Sequence, residues 1–273
     1  MHESRTIMAA LRARVGAIEG PKPAGVALFR LGSAMLDAPL GGGLPKGRLH
    51  ELFAAEDDDR AAMAGAALML AIQASGGRMG KGPLLWLRQD NGVKAAGRLY
   101  GPGLAELGLD PARLIEVVAP DEAALLRAAG DAVRCPQLGA LLVEPWKAAR
   151  GLDLTASRRL AVAAEKSGVT VLLLRAAADP APSAAYSRWR VRSLASAPLE
   201  AGAPGHPAIG LELLRHRGGL EGLTARLEWN RDEQAFRETA LSGAGLPLPA
   251  GRPAGAGDPD GQANTAVSGR LSA

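Results

Sequence analysis

A candidate phosphate-binding loop lies near residue 54, where a short apolar run is followed by an acidic turn and a long apolar helical pattern. A strand, loop and helix in this order bind nucleotides when the loop reads G-x-x-x-x-G-K-[ST], because its amides, lysine and hydroxyl hold phosphates and Mg²⁺. The defining positions are occupied here by Ala54, Asp59, Arg60 and Ala61. The segment therefore has the place of a phosphate loop without its residues.

Each of the four replacements removes a different contact. Glycine reaches positive φ cheaply and lets backbone amides converge on an anion, which Ala54 and Asp59 hinder. Arg60 keeps a positive charge on a bulkier, planar group, and Ala61 has no hydroxyl for Mg²⁺. We therefore expect no bound nucleotide cofactor and no enzymatic activity.

The run Glu56-Asp57-Asp58-Asp59 also disfavours a polyanion. Each carboxylate–phosphate pair costs roughly 3 kcal/mol at about 5 Å and an effective dielectric of about 20. Acidic side chains are instead favoured at helix starts, through capping and the helix dipole. Because adjacent side chains diverge, the run predicts a helix start rather than a metal site, and we expect no metal cofactor.

Other catalytic patterns are missing from the sequence. The histidines His2, His50, His206 and His216 are dispersed, and no H-E-x-x-H, G-x-S-x-G or C-x-x-C pattern occurs. The single cysteine, Cys135, excludes an intramolecular disulfide and is typical of a reducing compartment.

The composition predicts a globular protein. Of the 273 residues 47% are apolar, enough for a sizeable core, and the net charge of +4 permits nucleic-acid contact without requiring it. The N-terminus lacks the apolar core of a signal peptide, and no apolar run approaches the roughly 20 residues of a membrane-spanning helix. We expect a cytoplasmic protein with no membrane association.

Short apolar runs alternate with helical patterns between residues 49 and 174. The runs 84–87, 140–143 and 170–174 are apolar on both faces, as in parallel strands that helices cover on each side. Beyond residue 185, alternation and turn residues indicate antiparallel strands. The pattern predicts an α/β fold with a mainly parallel central sheet flanked by helices and antiparallel strands at its C-terminal edge.

Three segments divide the chain. Residues 1–22 hold an N-terminal amphipathic helix and linker, and residues 23–240 form the core. Residues 241–273, rich in Gly, Pro and Ala, form a tail predicted to be disordered. The apolar stripe of the N-terminal helix includes Ile7, Leu11, Val15 and Ile18.

The segment 36–53, with Leu44-Pro45-Lys46-Gly47-Arg48 and then Glu51, resembles the one that leads into the ATPase core of the RecA recombinase. Further segments extend the likeness to the ImuA family, RecA-like proteins that lack a P-loop. They are residues 86–90, 100–104 with 107–114, 153–160 and 211–219. The resemblance covers roughly residues 5–235 and implies a RecA-like core.

The resemblance implies a non-enzymatic accessory role in the SOS response, damage-induced mutagenesis and translesion DNA synthesis. The implied partners are ImuB, a Y-family-like protein without polymerase activity, and an error-prone DNA polymerase related to the replicative α subunit. Two alternatives stay open: a SulA-like cell-division inhibitor that binds FtsZ, and a modulator of the RecA filament.

Two carboxylates fall near catalytic positions of RecA-type ATPases. The resemblance places Asp90 near the residue that activates the attacking water and Glu144 near the one that assists Mg²⁺. Because the phosphate loop is missing, we interpret Asp90 as a helix-capping or surface residue. We interpret Glu144 as a vestigial residue at a strand end.

The N-terminal helix is the first candidate for partner binding. In RecA a helix at this position packs onto the neighbouring protomer, so the resemblance implies self-association or partner docking. Packing of the helix on its own core is equally open.

Arginines form the second group of candidates. Arg158 and Arg159 share a predicted helix, where they contact a partner carboxylate, a phosphate or solvent. On a later strand, alternation places three arginines on one face and Trp189 on the other. The predicted basic surface of these strands comprises Arg188, Arg190, Arg192, Arg215 and Arg217. DNA, an acidic protein and solvent remain alternatives for what it contacts.

Overall fold

The computed structural model describes residues 25–77, 80, 82–176, 178–199, 201, 203 and 205–238. The predicted N-terminal helix with Ile7, Leu11, Val15 and Ile18, and the predicted tail from residue 241, lie outside the described residues. Among the helices that are described, none combines the length and apolar character that crossing a membrane requires.

The described chain alternates strands and helices as the sequence predicts. The strands are β1 (Leu28–Phe29), β2 (Leu44–Pro45), β3 (Leu49–Ala54), β4 (Leu84–Gln89), β5 (Leu114–Ala119), β6 (Ala140–Glu144), β7 (Thr170–Arg175), β8 (Ser187–Leu194), β9 (Ala208–His216), β10 (Thr224–Asn230) and β11 (Ala235–Glu238). The helices are α1 (Ala34–Asp37), α2 (Arg60–Ala74), α3 (Asp90–Ala96), α4 (Gly101–Glu106), α5 (Glu122–Ala132) and α6 (Leu154–Ser167), with short 3₁₀ turns at Asp57–Asp59 and Pro111–Arg113.

Nine strands form the central sheet in the order β11-β10-β9-β8-β3-β7-β6-β4-β5. The strands from β8 to β5 pair in parallel, whereas β9, β10 and β11 pair antiparallel beyond β8. The predicted fold class is therefore confirmed. One detail differs from the sequence-based prediction: β8 pairs in parallel with β3 and antiparallel only with β9.

Helices cover both faces of the sheet because successive strand side chains point to opposite sides. On one face α2 packs on a core that includes Leu52, Trp86 and Leu172. On the other face the core includes Leu125 of α5, Leu160 of α6 and Val171. This two-sided burial explains why the central strands are apolar along their whole length.

One histidine is buried in this core without charge. The ring of His50 on β3 lies with Nδ1 2.7 Å from the Ser187 hydroxyl and Nε2 3.0 Å from the Pro45 carbonyl. A carbonyl only accepts, so Nε2 carries the proton and Nδ1 accepts from Ser187. Burial lowers the pKa of His50 to about 4.

We predict that this histidine makes the protein acid-sensitive. The pKa of His50 is about 4 in the folded chain and has its ordinary value of 6.5 in the unfolded chain. Between these two pH values the unfolded chain therefore binds a proton on His50 that the folded chain does not bind. The contribution of neutral His50 to the free energy of unfolding is fully present above about pH 6.5 and is lost as the pH falls toward about 4. By about pH 5 the free energy of unfolding has fallen by about 2 kcal/mol for this reason. Urea unfolding of the wild type and His50→Gln from about pH 7.5 to about pH 5 measures this, and the variant should show a flatter pH dependence.

The matched control is His206→Gln, which should keep the wild-type pH dependence because this ring is only partly buried. An equal pH slope in His50→Gln and the wild type would contradict the prediction.

Candidate functional site

The degenerate loop connects β3, which ends at Ala54, to α2, which begins at Arg60. Between them Glu56 caps the 3₁₀ turn Asp57–Asp59 in a reciprocal capping box with Asp59. The prediction that the acidic run begins the helix is confirmed. A backbone amide of the loop is already hydrogen-bonded within the protein, because the N–H of Ala55 donates to the Val191 carbonyl at 2.8 Å.

Asp59 closes the loop from within. Its carboxylate accepts from the backbone N–H and the hydroxyl of Ser193, both at 2.7 Å, and from the N–H of Glu56 at 3.2 Å. Burial raises the pKa of Asp59, but the hydrogen bonds from Ser193 and Glu56 outweigh this effect and lower the pKa below its ordinary value. An internal carboxylate thus engages an amide of the loop that, in a phosphate loop, would face the ligand.

Arg60 is engaged within the chain, and Ala61 has no hydroxyl for Mg²⁺. The guanidinium of Arg60 is ion-paired with Asp57 at 2.9 Å, and Ala61 is an exposed methyl group in the first turn of α2. The Arg60 guanidinium also lies 5.8 Å from the ring centroid of Trp146.

Trp146 is a site residue that the sequence reasoning missed. The backbone N–H of Trp146 donates to Oε1 of Gln89 at 2.9 Å. The indole ring approaches α3 closely enough that a Cβ at Gly92 would lie 3.5 Å from it. The indole therefore lies between the start of α2 and α3, at the carboxyl ends of the parallel strands. The available signal was a tryptophan three residues after the predicted strand 140–143.

The loop that carries Trp146 is held in a restrained conformation. Lys147 and Ala149 adopt the left-handed region, with φ of 58° and 45°. Non-glycine residues adopt it only when their surroundings impose it, at a cost of roughly 1–3 kcal/mol each. The imposing contacts include a hydrogen bond from Arg175 to the Ala148 carbonyl at 3.4 Å and one from the Gly151 N–H to Glu122.

Glu144 is neutralised by side chains of β4. Its Oε2 accepts from Trp86 Nε1 at 3.0 Å and from Arg88 Nε at 2.9 Å. Arg88, 4% exposed, also pairs with Glu116 at 2.9 Å. The carboxylate at the predicted magnesium-assisting position therefore belongs to an internal ion network.

Asp90 occupies the surface role that the sequence predicts. It lies in the first turn of α3, where a carboxylate complements the helix dipole. It pairs with Lys94 one turn later at 2.6 Å, and the Lys94 side chain is largely exposed.

Arg188 is not part of the predicted basic surface, which is a correction to the sequence-based expectation. It is buried against Glu51, with Nε 2.9 Å from Oε2, and Arg175 approaches the other carboxylate oxygen at 3.8 Å. Both contacts are ion pairs without a hydrogen bond, because the Nε–H of Arg188 is misaligned and the distance from Arg175 is too long. Burial lowers the pKa of Arg175, and Glu51 opposes this shift.

The other arginines of that prediction do not form one surface. Arg190 pairs with Glu212 at 3.0 Å. The strand register places Arg215 beside Arg188 and places Arg192 beside Gly210, at opposite ends of β8. Arg192, Arg215 and Arg217 are exposed. Trp189 faces the core, as the alternation predicts.

Arg158 and Arg159 are exposed on α6, where they line a groove with Arg134 and Lys166. Helix α6 packs on β3 and β7, whereas the exposed Arg192 and Arg215 lie on β8 and β9. Among the described residues no group of His, Cys, Asp and Glu side chains is arranged to hold a metal ion.

The sheet order and the closed loop define a RecA-like α/β core whose phosphate loop is occupied by its own side chains. The solved structure of the RadB recombinase superposes with a TM-score of 0.52 over 78% of this chain and 100% of RadB, at 17% identity. No family model matches the chain.

Sequence comparison narrows this class to one family. Protein ImuA from each of two strains of Caulobacter vibrioides is 37% identical over 199 residues, which cover 67% of this chain and 75% of the relative. The chain belongs to the ImuA family.

Proposed function

We propose that this chain is a non-enzymatic accessory protein of damage-induced mutagenesis. It acts in the cytoplasm during translesion DNA synthesis, where it docks with ImuB and an error-prone DNA polymerase. Membership of the ImuA family supports the process, and the closed phosphate loop supports a docking role without ATP.

The occupied loop carries the non-enzymatic part of the proposal. Nucleotide binding would require the carboxylate of Asp59 to leave three hydrogen bonds and an incoming polyanion to face the run 56–59. Each broken hydrogen bond to a charged group costs about 1.5–3 kcal/mol, so opening the loop is expensive before any phosphate contact forms.

We predict that Arg60→Ala restores damage-induced mutation frequency in a deletion strain as fully as the wild type. Its guanidinium serves Asp57 and the Trp146 ring rather than a phosphate. Mutation frequency after ultraviolet irradiation measures this, and calorimetric titration of the purified chain with Mg-ATP should give no binding heat.

Loss of complementation by Arg60→Ala together with micromolar Mg-ATP binding would contradict this prediction and revive the hypothesis of a residual ATPase. The proposal that the chain docks with ImuB is tested by capture of purified ImuB on the immobilised chain. Failure of capture, with filamentous cells on overexpression, would favour a SulA-like inhibitor.

A further inference from the structure

A basic groove of about 650 Å³ runs along the outer face of α6. Its lining includes Arg158, Arg159, Val162 and Lys166 from α6, and Arg134 just after α5. These residues define what we call the α6 groove. It lies on the outer side of α6, because Leu160 and Ala164 point into the core.

The charge of the α6 groove is uncompensated. No acidic residue lines it, and in the described part of the chain Arg158, Arg159 and Lys166 form no ion pair. Arg134 is only loosely paired, at 3.7 Å from Asp131, with both side chains exposed.

The acidic residue of α6 does not reduce this charge. Glu165 is paired with Arg48 at 2.6 Å, and Arg48 does not line the groove. Because the cationic side chains of the α6 groove lack counterions, a negatively charged partner would bind there favourably.

The groove also has an apolar centre. Val162 is 45% exposed, and Ala163 beside it lines the groove too. On a helix Val162 lies one turn after Arg158 and Arg159 and one turn before Lys166. From Arg158 to Lys166 the stripe therefore runs cationic, apolar, cationic over nine helical residues, a length of about 13 Å.

We propose that the α6 groove binds an acidic amphipathic helix of a partner protein. An apolar ridge on that helix packs on Val162 and Ala163, while carboxylates on its flanks pair with Arg158, Arg159 and Lys166. This is the helix-in-groove mode of recognition, in which apolar anchors recur at helical spacing. The inference rests on the proposed docking function and specifies the partner chemistry.

Other occupants fit less well. Single-stranded nucleic acid requires aromatic platforms beside the positive charge, and the groove lining contains no aromatic residue. The terminal segments of this chain are not acidic: residues 1–24 have more cationic than acidic side chains, and residues 239–273 have equal numbers.

The test measures binding of a fluorescent helical peptide to the full chain by anisotropy. The peptide has a leucine ridge flanked by glutamates and about 18 residues, enough to follow the groove. Arg158→Glu with Arg159→Glu should weaken binding at least about tenfold. Val162→Ser should weaken it severalfold without any change of charge, and a scrambled peptide of equal composition should bind weakly.

The matched control carries the same charge change on another surface. Arg192→Glu with Arg215→Glu reverses two exposed arginines on β8 and β9 and should leave peptide binding unchanged. Equal weakening by this control would show that only net charge matters and would overturn the proposal. Tighter binding of a thymidine oligonucleotide, or self-association of the chain through the groove in sedimentation velocity, would also overturn it.

Capture of ImuB separates this inference from the proposed function. The wild type is compared with the variant that carries Arg158→Glu and Arg159→Glu. If both proteins capture ImuB equally and bind the peptide equally, the groove assignment fails while the docking function stands. If the wild type captures no ImuB, the proposed partner is wrong, and the peptide titration still decides on the groove.

Discussion

Replacing Glu51 with glutamine should lower the free energy of unfolding by about 3–5 kcal/mol. The carboxylate is 1% exposed and is the shared counterion of Arg175 and Arg188, which are themselves buried. The substitution leaves two guanidinium groups without a counterion in the core, and each must be desolvated without compensation. Urea unfolding at neutral pH measures the loss.

Two further variants make the prediction specific. Glu165→Gln removes the pair with Arg48, in which Glu165 is 55% exposed, and should cost less than about 1 kcal/mol. The triple variant Glu51→Leu, Arg175→Met, Arg188→Met should recover most of the stability, because an apolar cluster needs no counterion. A triple variant as unstable as Glu51→Gln would contradict the assignment of the loss to unpaired charge.

The second large effect concerns Arg88, which joins three neighbouring strands. It pairs with Glu144 on β6 and Glu116 on β5, each at 2.9 Å, while lying on β4 between them. Arg88→Met should destabilise the protein by about 3–5 kcal/mol, because two mostly buried carboxylates then face each other without a cation. Chemical denaturation measures the change.

Lysine at this position distinguishes charge from geometry. Arg88→Lys keeps the charge but not the planar fork that reaches both carboxylates, so we expect an intermediate loss. Combining Arg88→Met with Glu116→Gln and Glu144→Gln should restore part of the stability. Lys94→Met, which breaks the exposed pair with Asp90, is the control and should cost less than about 1 kcal/mol. Equal losses in Arg88→Met and Lys94→Met would contradict the network.

These two networks give Glu51 and Glu144 structural roles that require no bound ligand. Glu144 secures β4 to β6 through Arg88. Glu51 pairs with Arg175, which also donates to the carbonyl of Ala148 in the restrained loop after β6. Charged groups at the carboxyl edge of the sheet thus support its architecture.

The sequence by itself determined that the phosphate loop is absent, because that motif is contiguous and its chemistry is read from four residue types. It also determined the parallel sheet, since strands buried on both faces must be apolar throughout. The helix start at Glu56–Asp59 followed from local capping preferences. All of these depend on residues close together in the chain.

The tertiary structure alone decided which charges meet. Asp59 bonds to Ser193, 134 positions away, and Arg88 reaches Glu144 across 56 positions. Alternation correctly put Arg188 and Arg192 on one face of β8, but whether an arginine on that face is buried depends on the neighbouring strand. Arg188 lies beside Glu51 of β3, whereas Arg192 lies beyond the end of that pairing. Strand order arises from crossover connections and packing of the whole sheet, so residue type and periodicity could not distinguish a buried counterion from a surface charge.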